Sequence, residues 1–380
     1  MRIAVNAALL GNRHSGVTTY IIGLIQSLSR LGHEVVVYGS SCHLPVGTGI
    51  TIHRTPRSIA YDAGPFAGFL RLLWNLFVLP AKILGGSVDV IVSQNAEGAI
   101  WCSVPQVLII HDLVPLFYPE EAPRLRSYYK RLLPLVLKHT AAVIAVSQYT
   151  RGDILQHYKI NPANVHYCYN GVEQASGETE QGRRPANAPS SPYFLFVGTF
   201  APRKNLETLV RALARIQSQV PHSLVIVAYA DQWAHGLMRL AKELELGDRV
   251  VHLSGLSQQE LEYVYHHATA LFLLSEYEGF GFPALEAMVA GTPVVVSDST
   301  ALAEVAGCAA LKISAHDIHA VAEAMLRLFT DNSYREKWQT LGSERAQAFT
   351  WDRLGCRVSD ILSQVVQSRQ AELGSTETPR

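Results

Sequence analysis

The sequence predicts an α/β protein with two units, each a doubly wound parallel sheet. Three observations lead there. At 380 residues the chain is longer than one ordinary hydrophobic core supports. Short Val/Ile-rich runs bounded by turn residues alternate with amphipathic stretches, the pattern of βαβ units whose strands are buried on both faces. That pattern stops in the polar, Pro/Gly/Ser-rich stretch 173–192 and then restarts.

In the first half the strands read RIAVNAAL, HEVVVYG, TIHR, VDVIVSQ, QVLIIHD, AAVIAVS and VHYCYNG, with helical stretches at 18–31, 66–84, 122–138 and 148–158. The second of these is strongly apolar. Arg71, Asn75, Pro80 and Lys82 break it too often for a membrane span, so it is expected to be a core helix. After the break the strands read YFLFVGT, SLVIVAYA, RVVHLSG, ALFLLS, PVVVSD and AALKIS, with helices at 205–217, 233–244, 258–267 and 317–329. The expected boundaries are 1–172 for the first domain, 173–192 for a linker and 193–350 for the second domain. A C-terminal helix at 351–370 and a disordered tail at 371–380 follow. Ligands in such sheets lie beyond the C-terminal strand ends, so the active site is expected between two facing halves.

Hydrophobic residues at 48% and charged ones at 17% rule out a disordered chain. The formal net charge is zero, yet residues 1–170 carry 14 Lys/Arg against 8 Asp/Glu, and the remainder carries the opposite imbalance. A basic half either meets an anionic partner or attracts the acidic half; the balance by itself does not choose. Five scattered cysteines without a C-x-x-C pair fit a reducing compartment, and the N-terminus reads as a strand rather than a secretion signal. A cytoplasmic protein is expected, with no nucleic-acid partner. Asp-x-Asp is absent and no His/Asp/Glu group has ligand spacing, so no metal and no cofactor are expected. Neither half opens with G-x-G-x-x-G, and there is no G-x-S-x-G elbow.

Four places remain as candidate sites. In EYEGFGFPALEAM a strand runs through Gly279, Phe280, Gly281 and Phe282 into a helix with Pro283 near its start, leaving free amides suited to phosphate. Glu278 and Glu286 flank those amides. Carboxylates serve a phosphate poorly but hydrogen-bond the hydroxyls of a ribose or a sugar well; the plainer reading is two surface acids beside a tight turn. In VGTFAPRKN, Arg203 and Lys204 stand between a strand end and a helix start, a fork and a point charge suited to a diphosphate. Ser15-Gly16 precedes the first helix, where backbone can approach a ligand. His111 ends the strand QVLIIHD.

Taken in this order, with HDLVPL, VSQYT, YNGVE, the E-x7-E from Glu278 to Glu286, AGTPVVVSD and the late FTWDRLGCRVSDIL, the chain resembles the retaining glycosyltransferases of family four, which share the fold called GT-B. The resemblance implies a nucleotide diphosphosugar as co-substrate. It implies that Arg203 and Lys204 neutralise the donor diphosphate, that Glu286 binds the ribose, and that Glu278 binds the sugar's 3- and 4-hydroxyls. The amides of Gly279–Phe282 would meet sugar and phosphates, and His111 would lie near the anomeric carbon and the 6-hydroxyl. Gly16 would let the first loop approach the donor, and Ser254, Gly255 and Leu256 would border the base. The final helix would cross back onto the first domain. Two departures stand out: Thr199 occupies a position where many members carry Arg, and the first loop reads Ser-Gly rather than Gly-Gly.

The form GT-x-x-PRKN resembles the branch that uses GDP-mannose in bacterial polysaccharide synthesis. Alternatives are a UDP-sugar donor, a non-catalytic nucleotide-sugar-binding subunit, or an epimerase or phosphorylase on the same architecture. The acceptor implied is a glycan or lipid-linked glycan. The cationic stretch Arg124, Arg126, Lys130, Arg131 and Lys138 either lies on an anionic membrane or is a solvated helix face, the second being preferred.

Overall fold

The computed structural model describes residues 1–11, 15–174, 182–190 and 192–376. The chain divides into unit 1, Met1–Gly171 with Thr350–Arg380, and unit 2, Val172–Phe349. Eight of the twenty residues read as a linker at 173–192 (175–181 and 191), together with residues 12–14 of the first loop, lie outside the described residues.

In unit 1, β1 (Arg2–Asn6), β2 (Glu34–Tyr38), β3 (Ile50–His53), β4 (Val90–Ser93), β5 (Gln106–Ile110), β6 (Ala142–Ala145) and β7 (Val165–Tyr167) form one sheet in the order β3-β2-β1-β4-β5-β6-β7. In unit 2, β8 (Tyr193–Gly198), β9 (Ser223–Ala228), β10 (Val250–Leu253), β11 (Ala270–Leu273), β12 (Val294–Ser297) and β13 (Leu311–Ile313) run in the order β10-β9-β8-β11-β12-β13. The pairings are parallel throughout, for example Ala4 beside Val36 and Leu271 beside Val294. Both sheets reverse direction beside their first strand, so each has its switch point at the C-terminal ends of β1/β4 and β8/β11. Central strands such as β5 and β11 are buried along their whole length, which is why they read as unbroken apolar runs.

Two helical segments of unit 1 change register inside. From Ala67 to Leu84 the helix passes through a π segment, Trp74–Val78, in which the Leu79 amide donates to the Trp74 carbonyl. From Pro123 to Lys138 the same happens at Tyr128–Leu132, where the Leu133 amide donates to the Tyr128 carbonyl. Each π turn ends two residues before a proline, Pro80 or Pro134. Proline has no amide to give the carbonyl four residues back, and a one-residue widening re-aims the ladder around that gap.

The segment expected to be a core helix is buried on one side only. Ala67, Arg71, Trp74, Asn75, Leu79, Pro80 and Ile83 are buried, whereas Phe66, Phe69, Leu70, Leu73, Phe77, Val78 and Leu84 are exposed. Periodicity could not reveal this, because the outer stripe is as apolar as the inner one.

The last helix, Trp351–Thr376, belongs to unit 1 and extends into the stretch expected to be a disordered tail. It packs on the helix Gly16–Arg30. A side chain on Gly23 would sit 2.3 Å from the Trp351 ring, and one on Gly171 would sit 2.4 Å from the Trp351 amide nitrogen. The indole therefore occupies a slot that only two missing side chains leave open. The Ser27 hydroxyl donates to the Trp351 carbonyl at 2.8 Å, Arg30 pairs with Asp352 at 2.8 Å, and His33 Nε2 lies 2.7 Å from the Ser359 hydroxyl.

Candidate functional site

At the C-terminal end of β8 the chain passes the exposed Thr199 and makes a single 3-10 turn, Pro202–Lys204. Asn205 then adopts a left-handed conformation, φ 54° and ψ 40°, before the helix Leu206–Ile216 begins. Asparagine tolerates this region better than most residues. Here it is also held by its side chain: the amide nitrogen donates to the Ala315 carbonyl at 2.6 Å, and the amide oxygen accepts from Thr208 at 2.8 Å. This anchored kink fixes where Arg203 and Lys204 point.

They point at the loop after β11. The Glu276 amide donates to the Arg203 carbonyl at 2.8 Å, and Arg203 Nη1 donates to the Tyr277 carbonyl at 2.9 Å. Lys204 Nζ bonds Glu278 Oε1 directly, Ser275 Oγ donates to the same oxygen at 2.9 Å, and Arg203 Nη1 lies 3.6 Å from Glu278 Oε2. The Glu278 side chain is only 14% exposed. Burial alone would push its carboxyl up, but the Lys204 and Arg203 charges, with hydrogen bonds from Lys204 and Ser275, hold it below the ordinary range. It is a carboxylate at neutral pH.

Beyond Glu278 the loop closes into the helix Phe282–Val289. Gly281 caps that helix at φ +105°, where a Cβ would come 2.4 Å from Leu302 Cδ2, so both the backbone angle and the space require glycine. Phe280 is buried and meets the Phe282 ring edge-on, with centroids 5.4 Å apart. The phenylalanines thus anchor the loop by their rings, while the start of the helix carries its amides.

Glu286 lies one turn inside this helix. Among the described residues it bonds no cation; Tyr265 donates its hydroxyl to Glu286 Oε2 at 2.6 Å. Burial raises the carboxyl above its ordinary range, and the tyrosine bond works the other way. Ser254, Gly255 and Leu256 follow β10, two strands along the sheet from β8, with Gly255 at φ +68°. They share the strand-end edge with the cluster but lie at the sheet's margin.

The other two sequence-selected places lie in unit 1. His111 follows β5 and is 8% exposed; its Nε2 has no hydrogen-bond partner among the described residues, and its ring packs edge-on to Tyr20 at 4.8 Å. Burial lowers its pKa to about 4, so the ring is neutral at physiological pH. Gly16 is the first residue of its helix, capped by Ser15, whose Oγ accepts from the Thr18 amide at 3.2 Å.

Unit 2 therefore brings Arg203, Lys204, Glu278 and the 279–282 amides into one cluster and places Glu286 just behind it. Three residues of this site escaped sequence reasoning. Asn205 left a faint signal as an Asn directly before a helix, whereas Ser275 and Tyr265 left none.

A cationic turn and a buried carboxylate thus meet at a helix N-terminus, on the switch point of a doubly wound sheet, a setting chemically suited to an anionic group that carries hydroxyls. Comparison with known proteins narrows this. The family described as "Glycosyl transferases group 1" matches residues 178–345, and that described as "Glycosyltransferase Family 4" matches residues 14–176. The chain is a glycosyltransferase of the family-four type, with the GT-B fold. It is 27% identical to the O-antigen chain mannosyltransferase RfbU of Salmonella typhimurium over 82% of this chain and 87% of the relative. The sucrose-phosphate synthase structure from Thermosynechococcus elongatus superposes with a TM-score of 0.76 at 22% identity, covering 97% of this chain and 99% of that one. Anabaena HepE, solved in complex with UDP and glucose, gives 0.70 at 18% identity, covering 96% and 100%.

Proposed function

We propose that the chain transfers a hexosyl group, mannose from GDP-mannose, to a hydroxyl of a glycan or lipid-linked glycan in the synthesis of a surface polysaccharide. On this reading the anomeric configuration is retained and no metal is required. The observation that carries the reading is the Lys204–Glu278–Arg203 cluster beside the start of the helix Phe282–Val289. Two cations against one carboxylate leave a positive excess where a diphosphate is best received. The mannose assignment rests on the mannosyltransferase relative and on the GT-x-x-PRKN motif.

An arriving diphosphate competes with Glu278 for Lys204 and Arg203. The released carboxylate, already ionised, is then free to accept hydrogen bonds from the sugar's 3- and 4-hydroxyls. Glu286 accepts from the ribose with its remaining lone pairs, oriented by Tyr265. In the transfer step the bond from the anomeric carbon to the diphosphate oxygen breaks, and the acceptor oxygen bonds that carbon from the same face. The acceptor proton passes to the departing diphosphate oxygen. His111, in unit 1, is neutral and so does not act as a cation. Catalysis is then mainly electrostatic stabilisation of the leaving group by two preorganised cations, together with positioning.

The test is nucleotide release with EDTA present, across GDP-mannose, UDP-glucose, UDP-N-acetylglucosamine and UDP-galactose, with Glu286→Ala as control. Slow hydrolysis of GDP-mannose alone, lost in the variant, is the expected result. Hydrolysis of a UDP-sugar instead overturns the donor assignment. A dependence on added Mg²⁺ or Mn²⁺ overturns the metal-independent reading. Silence with every donor and every glycan acceptor, despite GDP or UDP raising the melting temperature, favours a non-catalytic binding subunit.

A further inference from the structure

A hollow of about 450 Å³ opens at the N-terminal ends of the unit 2 strands. That volume lies in the range of about 300–1,000 Å³ usual for small-molecule sites. Pro192 stands just before β8, His222 just before β9 and Thr269 just before β11, and all three line it. Arg203 and Lys204 follow the other end of β8. The hollow is therefore separated from the cationic turn by the six residues of that strand, about 20 Å.

Its walls are polar, and among the described residues no Asp or Glu lines it. His266 and His267 close the helix Gln258–His266 on one side. On the other, Asn332, Arg335 and Gln339 follow one face of the helix Asn332–Ala346 at steps of three and four. Arg335 donates from Nη1 to the Leu328 carbonyl at 3.2 Å and from Nη2 to Asn332 Oδ1 at 2.9 Å. A guanidinium carries five N–H donors, so its fork is oriented by these bonds without being used up. The nearest acid in the chain, Asp331, has its carboxylate turned to the Tyr334 amide at 2.9 Å.

His222 supplies the second observation. The residue is 0% exposed, stacked on Phe194 at 4.4 Å between centroids and met edge-on by Phe329 at 4.7 Å. Arg249 fixes the loop that carries it, donating to the Gln217 and Val220 carbonyls at 2.7 Å each and to the His222 carbonyl at 2.6 Å. The ring's Nε2 lies 2.9 Å from Thr269 Oγ1, while Nδ1 has no partner among the described residues. Burial, with the Arg249 and Arg335 charges, lowers its pKa to about 4, so the ring is neutral at physiological pH. In either neutral tautomer Nδ1 keeps an unmet capacity, as donor or as acceptor, and a buried group of that kind calls for an occupant.

We propose that this hollow binds a small phosphate-bearing ligand, with the oxyanion on Arg335 and His266 and the ligand's other polar atoms meeting His222 Nδ1, Thr269 and Gln339. Donors converging from two helices suit a group with several acceptor oxygens, and a planar fork suits phosphate in particular. The site is distinct from the Arg203–Lys204 cluster and stands independently of the donor assignment above.

The test is calorimetric titration of the full chain with inorganic phosphate and, separately, with mannose 6-phosphate, against sodium chloride of matched ionic strength. Saturable binding of at least one phosphate probe, absent with chloride, is expected. Tighter binding of mannose 6-phosphate assigns the site to an organic phosphomonoester, and tighter or equal binding of inorganic phosphate assigns it to the free ion. Arg335→Gln and Gln339→Glu are each expected to raise Kd about tenfold or more. Gln339→Glu adds an acid without breaking any hydrogen bond among the described residues, so it decides the matter should Arg335→Gln fail to fold. Lys204→Ala, at the far end of β8, is expected to leave Kd within about twofold. Absence of saturable binding by both probes overturns the proposal. So does a Kd that Gln339→Glu leaves unchanged, or one that Lys204→Ala alone raises, which would place the phosphate on the cationic turn instead.

Discussion

Tyr265 donates its hydroxyl to Glu286 at 2.6 Å, from the helix Gln258–His266 to the helix Phe282–Val289. The bond gives a buried carboxyl group a fixed orientation without bringing a countercharge to it. Tyr265→Phe removes the only effect opposing burial, so the Glu286 carboxyl should rise further. Because a hydrogen bond to a charged group contributes about 1.5–3 kcal/mol, donor KM is expected to rise about tenfold or more with a smaller change in kcat. The acidic limb of the kcat/KM profile should also move to higher pH. An unchanged profile with an unchanged KM would leave Tyr265 as packing alone.

Lys204→Ala should slow turnover by on the order of 10²-fold, by analogy with loss of one preorganised donor. It should also raise the Glu278 carboxyl, since Lys204 is the nearest charge holding it down. Glu278 has a folded pKa below its unfolded one. Its contribution to stability is therefore present above the ordinary carboxylate range and lost as pH falls through the lowered value. In the variant the folded value moves up toward the unfolded one, so the stability lost on acidification should shrink, which urea midpoints between pH 7 and pH 3 would read directly.

His111 supplies a second pH effect of the same sign. Its pKa is lowered to about 4 by burial, so the unfolded chain takes up a proton on this ring between the ordinary value near 6.5 and 4 while the folded chain does not. Stability from this site is complete above about pH 6.5 and declines as pH falls toward 4, by up to about 3 kcal/mol. The imidazole signals should remain those of a neutral ring at pH 5.5 by NMR. A charged ring there would contradict the burial.

Gly281→Ala should lower the melting temperature by several degrees, corresponding to about 1–3 kcal/mol, because the new methyl meets Leu302 at a backbone angle that disfavours any side chain. Since Gly281 also caps the helix proposed to receive the diphosphate, the nucleotide-induced rise in melting temperature should shrink as well. Full nucleotide stabilisation in a destabilised variant would separate the cap from the site.

The strands and the cationic turn were legible because their signals are local. A strand buried on both faces is a run of Val and Ile such as VLII, and Arg203-Lys204 sits between a strand end and a helix start. What stayed hidden depends on partners distant in the chain. Lys204 and Glu278 lie 74 residues apart, and nothing near Tyr265 announces its bond to Glu286. The helix Ala67–Leu84 misled for another reason. Apolar spacing shows that a face avoids water but not which surface covers it, so the same stripe reads as core whether protein or lipid lies above. The π turns were readable in hindsight from Pro80 and Pro134.

The indole of Trp351 fills the slot left by Gly23 and Gly171, and this ties the order of synthesis to the order of folding. Translation delivers residues 1–171 early, yet the helix that completes their unit leaves the ribosome only after the whole of unit 2. While unit 2 is being made, the groove along the helix Gly16–Arg30 has no occupant of its own. A nascent chain stalled or clipped before Thr350 would carry an entire second unit and an unfinished first one. Quality-control proteases could recognise such a fragment by that open groove.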